Sequence, residues 1–150
     1  MVVYERLAVF VLAFLLLTPM PALAGVLIVS DCWARASVPG ARSAVVYGSF
    51  RNEGKRSLAI ERVTSEIAGR ISIHRTVLEN NMVMMSSIDE LRIAPGEEVE
   101  LEPGGLHMML TDLTRELIEK EVFEIRLFFS DGTTAVANVK VGSINQITAP

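Results

Sequence analysis

The chain has 150 residues and a net charge of −4, with 14 basic and 18 acidic side chains. This mild acidity is spread along the chain without a run of Lys and Arg, which argues against a nucleic acid partner. The single cysteine, Cys32, excludes a disulfide within the chain.

The N-terminal segment predicts export. Arg6 precedes an apolar run over residues 7–17, and Ala22-Leu23-Ala24 supplies a small-x-small cleavage pattern. The run is shorter than the roughly 20 residues needed to span a bilayer, which favours a cleaved signal over a retained anchor. We therefore expect residues 1–24 to be a signal peptide and the mature chain to begin at Gly25 in the periplasm, without membrane insertion.

The sequence does not predict a lipid anchor. Cys32 follows Ser30-Asp31 rather than the small or apolar run that precedes a lipid-modified cysteine. We expect its side chain to behave as a small, partly buried hydrophobic group.

The remaining chain has the pattern of an all-β domain. Segments rich in β-branched, aromatic or alternating apolar residues recur at intervals of about 8–12 residues between turn residues, which is typical of sandwiches and barrels. Glu79-Asn80-Asn81 predicts a hairpin turn, and residues 115–120 predict a short connector with at most one helical turn. We expect one domain over residues 25–141 and a short frayed tail over residues 142–150. The predicted strands cover residues 26–30 with 33–35, 44–51, 58–63, 71–77, 82–86, 91–93, 99–101, 106–113, 122–129 and 133–141.

The side chains that bind soft metals are concentrated in one stretch. Both histidines, and every methionine after residue 24, lie between residues 74 and 109. Imidazole and thioether are ligands that soft or borderline metal ions prefer, Cu(I) above all. Thioethers also avoid the oxidation that a thiolate site would meet outside the cytoplasm. The stretch, which contains His74, Met82, Met84, Met85, His107, Met108 and Met109, therefore predicts a soft-metal site.

Strand alternation sorts part of this set. Leu106, Met108 and Leu110 share one face of their strand and form a predicted core face, which leaves His107 and Met109 together on the other. His74 precedes the predicted hairpin, and the methionines at positions 82, 84 and 85 follow it. Met82 and Met84 share a face of their strand and Met85 takes the opposite one, but periodicity does not show which of the three binds the metal. Local reasoning thus predicts His74, His107, Met109 and one further methionine.

The spacing of these residues resembles a known signature. Ten residues separate His74 from Met85, 21 separate Met85 from His107, and Met109 follows one residue later. The chain in this respect resembles the periplasmic copper chaperones of the PCu(A)C type, with the signature H-x10-M-x21-H-x-M. Residues 33–35, 39–40 and 103–110 are similar to that family too. The resemblance implies Met85 as the fourth ligand, giving the set His74, Met85, His107 and Met109, and a cupredoxin-like Greek-key β-sandwich or barrel.

The resemblance also implies a function. It points to a Cu(I) carrier rather than an enzyme, acting as a monomer and delivering copper toward the dinuclear copper centre of cytochrome c oxidase. The implied partners are the copper-site subunit of that oxidase and a Sco-type thiol protein. A storage protein without a specific acceptor is the main alternative. A cupredoxin-like electron carrier fits less well, because it would need a cysteine beside His107 and Met109.

The chain departs from the family pattern in two places. Cys32 stands where a small residue such as alanine is expected, and no His or Met follows Met109. The second departure argues against the added Cu(II) site that His- and Met-rich extensions of some relatives imply. We expect Met82 and Met84 to pack or to shield the site.

Overall fold

The computed structural model describes residues 27–150, so the predicted signal peptide and the start at Gly25 lie outside the described residues. All ten predicted strands are present, and the all-β prediction is confirmed. β4 begins earlier than predicted, at Ala68 rather than Ile71, because its pairing with the strand over residues 106–113 extends to Ala68. The strands are β1 Leu27–Arg35, β2 Ser43–Asn52, β3 Leu58–Thr64, β4 Ala68–Glu79, β5 Met82–Ile88, β6 Leu91–Ile93, β7 Glu98–Leu101, β8 Leu106–Leu113, β9 Val122–Phe129 and β10 Thr134–Gly142.

The strands form one sheet whose order differs from their order in the chain. Neighbours follow the sequence β5-β4-β8-β2-β1-β10-β9-β3-β6, and β7 also pairs with β2. The β1–β10 pair is parallel, whereas the other pairs are antiparallel. This order places the β4–β5 hairpin at one edge of the sheet and β8 directly beside it.

The sheet folds over a single apolar core. Buried side chains from both halves of the strand order join one cluster, including Val46 on β2, Met108 on β8, Ile125 on β9 and Val139 on β10. Burying each side chain of this size contributes about 1.5–3 kcal/mol. Met108 and Leu110 are fully buried, which confirms the predicted core face of β8.

A register shift interrupts β1 between Ser30 and Trp33, and Asp31 adopts a left-handed φ of 51° there. The shift turns Cys32 into the interior, where its side chain is 5% exposed. A Cβ atom at Gly48 would lie 2.8 Å from its Sγ, so a side chain at position 48 would collide with the thiol. Burial, with a smaller contribution from the Asp31 charge, raises the pKa of Cys32 to about 11. The thiol therefore behaves as the small hydrophobic group predicted for it.

The β4–β5 hairpin closes with the predicted turn. Asn80 and Asn81 have φ angles of 51° and 62°, the pair of positive values that a two-residue type I′ turn requires. Asparagine tolerates this conformation better than most residues. The turn sets a continuous register from Glu79 opposite Met82 to Ile73 opposite Ile88. It thereby decides which side chains of β5 share a face with those of β4.

The connector and the C-terminal segment lie against the sheet. Residues 115–120 form an irregular connector that contains no helical turn. Leu117 in this connector is buried. Arg35 Nε donates a hydrogen bond of 2.5 Å to the carbonyl oxygen of Gln146, which links β1 to the segment after β10. Within residues 27–150, no helix has the length and apolar character needed to cross a membrane.

Candidate metal centre

The register places the four predicted ligands on one face of three adjacent strands. His74 on β4 lies directly opposite His107 on β8, and Ser72 on β4 lies opposite Met109. On the other side of β4, Thr76 lies opposite Met85 of β5. Directly opposed residues in an antiparallel pair share a face, and so do residues two apart on a strand. The two histidines, Met85 and Met109 therefore lie together on one face of β5, β4 and β8.

The histidine pair lies between the two methionines. The ring centroids of His74 and His107 are 5.8 Å apart, with an angle of 47° between the ring planes. Met85 and Met109 lie two residues to either side along the strands, a displacement of about 7 Å each. Methionine has three flexible bonds and adapts to such distances. The arrangement brings two imidazoles close together and leaves each thioether to reach inward.

Exposure increases across the site from β8 to the sheet edge. His107 is 3% exposed, His74 and Met109 are half-buried, and Met85 is 53% exposed. The exposed end therefore lies on β5, the edge strand of the hairpin. Met85 is therefore the most exposed of the four candidate ligands.

Each histidine has one ring nitrogen without a partner. Among residues 27–150, the only buried side-chain nitrogen or oxygen atoms lacking a hydrogen bond are Nδ1 of His74 and Nε2 of His107. A buried polar atom without a partner costs free energy, so such atoms usually mark a function or a missing ligand. Both atoms belong to the pair predicted to bind a metal.

The protonation of His107 follows from its neighbour. Its Nδ1 lies 3.1 Å from the carbonyl oxygen of Gly105, and a carbonyl oxygen only accepts hydrogen bonds. Nδ1 must therefore carry the proton in the neutral ring, which leaves the Nε2 lone pair free. Such an outer hydrogen bond is the usual way that proteins orient a metal-binding histidine.

Ser72 has the corresponding position for His74. Its Oγ lies 2.9 Å from Nε2 of His74, and the two residues share a face of β4. When Nε2 carries the proton and donates it to the hydroxyl, the Nδ1 lone pair is free. Burial lowers the pKa of His74 below its ordinary value, and the nearby charges of His107 and Arg70 lower it further. The ring thus stays neutral, as metal binding requires, to a lower pH than a free histidine.

The turn before β8 holds both strands of the site. Gly104 has a φ of 85°, a left-handed conformation that favours glycine. The following carbonyl, that of Gly105, accepts hydrogen bonds from Thr76 N at 3.0 Å and from Nδ1 of His107. One backbone oxygen therefore fixes the imidazole and attaches its turn to β4.

Three side chains considered from the sequence lie elsewhere. β2 separates β1, which carries Cys32, from β8, so the thiol is not a neighbour of His107. Met82 and Met84 lie opposite Glu79 and Val77, on the face of β5 away from Met85. They do not join the histidine pair.

Ser72 and Gly105 are the contacts that sequence reasoning missed. A signal was available for Ser72, because it lies two residues before His74 on the same strand. On a strand this spacing puts side chains on the same face. The direction of a backbone carbonyl, in contrast, depends on the turn geometry.

Solved structures with a similar fold include copper-binding domains. The "Copper-bound PCuAC domain from PmoF2" aligns with a TM-score of 0.67 and 20% identity over 78% of this chain and 92% of that domain. The "Solution structure of CuI-DR1885 from Deinococcus Radiodurans" gives a TM-score of 0.61 and 23% identity, covering 85% and 82%. At these identities the likeness concerns the fold, and it confirms the cupredoxin-like prediction.

Sequence comparison gives the family. The "Putative lipoprotein Lxx21020" of Leifsonia xyli subsp. xyli is 32% identical over 114 residues, which cover 75% of this chain and 68% of that protein. The "Uncharacterized protein RP573" of Rickettsia prowazekii is 30% identical over 117 residues, covering 75% and 65%. The chain thus spans about two thirds of the length of these relatives. The family model "LpqE-like: Putative lipoprotein LpqE-like" matches residues 27–141. The chain therefore belongs to the LpqE-like family, and its resemblance to the PCu(A)C type is confirmed.

Proposed function

We propose that this protein is an exported Cu(I) metallochaperone that holds its cargo ion with His74, Met85, His107 and Met109. The observation that carries this proposal is that the four side chains share one face of the sheet. The two histidines of this set each have one buried ring nitrogen without a hydrogen-bond partner. Domains of similar fold have been solved with copper and specifically with Cu(I), which supports the same cargo here.

The chemistry of the donor set favours Cu(I). Two imidazoles and two thioethers are neutral ligands, and this combination suits a soft monovalent ion. Zinc sites in proteins use Cys, His and carboxylates and seldom methionine. A blue-copper centre needs a thiolate, whereas Cys32 is buried on β1, which β2 separates from β8. We therefore infer binding and transfer of the ion rather than electron transfer or catalysis.

The exposure of the site supports a carrier. A buried imidazole at one end and an exposed thioether at the other allow an acceptor to replace the ligands in turn. We propose that the acceptor is the copper-site subunit of cytochrome c oxidase, with a Sco-type thiol protein acting beside it. We further propose that the protein works as a monomer in the periplasm after signal cleavage. The family resemblance supports these partners and this location.

The first test measures Cu(I) affinity by competition with a chromophoric chelator. We expect one tightly bound equivalent in the mature protein, weakened more than about 100-fold in Met85→Ala and in His107→Ala, because removal of a ligand exceeds the roughly 10–100-fold cost of disturbing an outer contact. Met82→Ala is the matched control, since it removes a methionine of the same strand that is also exposed but lies on the opposite face. Equal weakening in all three variants, or no tight equivalent, would disprove the four-ligand site.

A second test asks whether the ion is delivered. The Cu(I)-loaded protein is mixed with the isolated copper-site domain of the oxidase subunit, and copper in each is measured after separation. If the protein is a chaperone, this domain should acquire copper faster from the loaded protein than from a small-molecule Cu(I) chelate. Retention of the ion would instead indicate a storage protein.

A further inference from the structure

The face of the hairpin away from the histidines carries its own pair of thioethers. Met82 and Met84 are two residues apart on β5, so their side chains project from the same face. Their exposed fractions are 61% and 50%. They are opposed across the hairpin by Glu79 and Val77 respectively.

Packing does not explain these two methionines. Further along β4 the same face carries Ile73 into the core, but Met82 and Met84 are absent from the core cluster and from the side chains packed against it. β5 is also an edge strand, and proteins commonly place charged residues on exposed edges to prevent pairing with other chains. Two large apolar side chains at this position therefore serve no evident role in folding.

We propose that Met82 and Met84 form a second binding site for a soft monovalent cation, separate from the histidine site. Their Cα atoms are about 7 Å apart along the strand, a distance that two flexible thioethers can span to meet at one ion. Thioethers are soft ligands that need no deprotonation. The carboxylate of Glu79, directly opposite Met82, supplies a negative charge that favours a cation.

The second site is weaker than the first and lies on the opposite face of the same edge strand. It offers two thioethers without an imidazole. Arg75 lies two residues before Val77 on the same face, and its positive charge disfavours a cation. Met84 and Met85 are consecutive residues on opposite faces of an edge strand. An ion that leaves Met82 and Met84 is one residue along the edge strand from Met85, the most exposed ligand of the proposed histidine site, so the second site serves to load the first. This loading role rests on the proposed function, whereas the second site itself does not.

The test follows the methionine methyl groups by NMR during titration with Ag(I), a soft monovalent cation that does not change oxidation state. We expect the methyl signals of Met82 and Met84 to shift together, with one midpoint, after those of Met85 and Met109 have saturated. Met108 is the internal control, because this fully buried core methionine should not respond.

Variants show whether the two thioethers act as a pair. In Met82→Leu the Met84 signal should lose its response to silver, and the reverse should hold in Met84→Leu, while the first equivalent is unchanged. The proposal is overturned if both signals stay fixed in excess silver, or if each methionine responds equally well without the other. A response of Met82 and Met84 without one at Met85 and Met109 would support this second site and contradict the proposed function.

Discussion

The hairpins β4–β5 and β9–β10 have similar backbone geometry and opposite patterns of burial. Each pairs seven residues of one strand with seven of the next in an antiparallel register. Every second residue of β9 is buried, from Phe123 to Phe129, whereas no residue of β5 is buried. The first hairpin lies at the sheet edge and carries two of the four candidate ligands, His74 and Met85, whereas the second lies inside the sheet and contributes to the core.

The difference shows how one fold separates stability from binding. Alternation on β9 and β10 directs large apolar groups into the shared core, so their contacts are satisfied by the protein itself. The apolar groups of β5 face solvent and are available to an ion or to a partner. β9 alternates apolar and charged residues over most of its length, whereas β5 does not, and burial follows this difference.

The largest contrast should appear in stability. Leu127→Ala removes a fully buried side chain of β9 and should lower the free energy of unfolding by about 2–5 kcal/mol. Val83→Ala removes a side chain of β5 that is 75% exposed and should change it by no more than about 0.5 kcal/mol. Urea unfolding of the metal-free protein measures both. A comparable loss from the two substitutions would mean that the hairpin supports the core.

Ligand binding should stabilise the protein through β4, β5 and β8, which carry the proposed ligands, and not through β9 and β10. Cu(I) at a free concentration 100 times its dissociation constant should raise the free energy of unfolding by about 2.7 kcal/mol. The same increment is expected in Leu127→Ala, because distant and independent changes add. Under the same conditions His107→Ala should lose most of it. A smaller increment in the Leu127 variant would indicate that core and site are coupled.

Loss of the hydroxyl beside His74 should have a smaller effect. Ser72→Ala removes the partner of Nε2, so we expect Cu(I) affinity to fall by about tenfold, the lower end for an outer contact of a metal ligand. Ser72→Thr keeps the hydroxyl and should keep the affinity. In the metal-free protein, ¹⁵N shifts of the His74 ring report the tautomer, and Ser72→Ala should reduce the preference for protonated Nε2. An unchanged tautomer in that variant would count against this positioning role.

The smallest effect concerns pH. The pKa of His74 is lowered in the folded protein, so the unfolded chain takes up this proton first as pH falls below the ordinary value of 6.5. The contribution of His74 to the free energy of unfolding of the metal-free protein should therefore be constant above pH 6.5. It should decrease as pH falls from 6.5 through the lowered pKa. His74→Gln should flatten this part of the profile. A slope unchanged by that substitution would assign it to other groups.

The sequence was sufficient for much of the fold because strand alternation and turn chemistry are local. The core face of Leu106, Met108 and Leu110 and the Asn80-Asn81 turn are examples. Pairing of β4 with β8 was not predictable in this way, since it joins strands separated by three others in the chain. This pairing sets His74 opposite His107 and therefore forms the histidine pair of the candidate site.

Residue spacing suggested the candidate ligands but not their surroundings. Alternation placed Met85 apart from Met82 and Met84, and the hairpin register shows that its face is the one with His74. Burial of His107 and exposure of Met85 depend on the turn before β8 and on the edge position of β5. These are properties of the assembled sheet.

The parallel pair of β1 and β10 has a consequence for how the domain forms. β1 lies between β2 and β10 in the sheet, so the first described strand obtains its second neighbour only from the last one. Contacts between residues so distant in the chain slow folding, because a long loop must close before they form. During synthesis the sheet stays incomplete until β10 has emerged, and a nascent chain lacking that strand exposes one side of β1 to pairing with other chains. A chain of this topology therefore completes its fold only when its last strand is available.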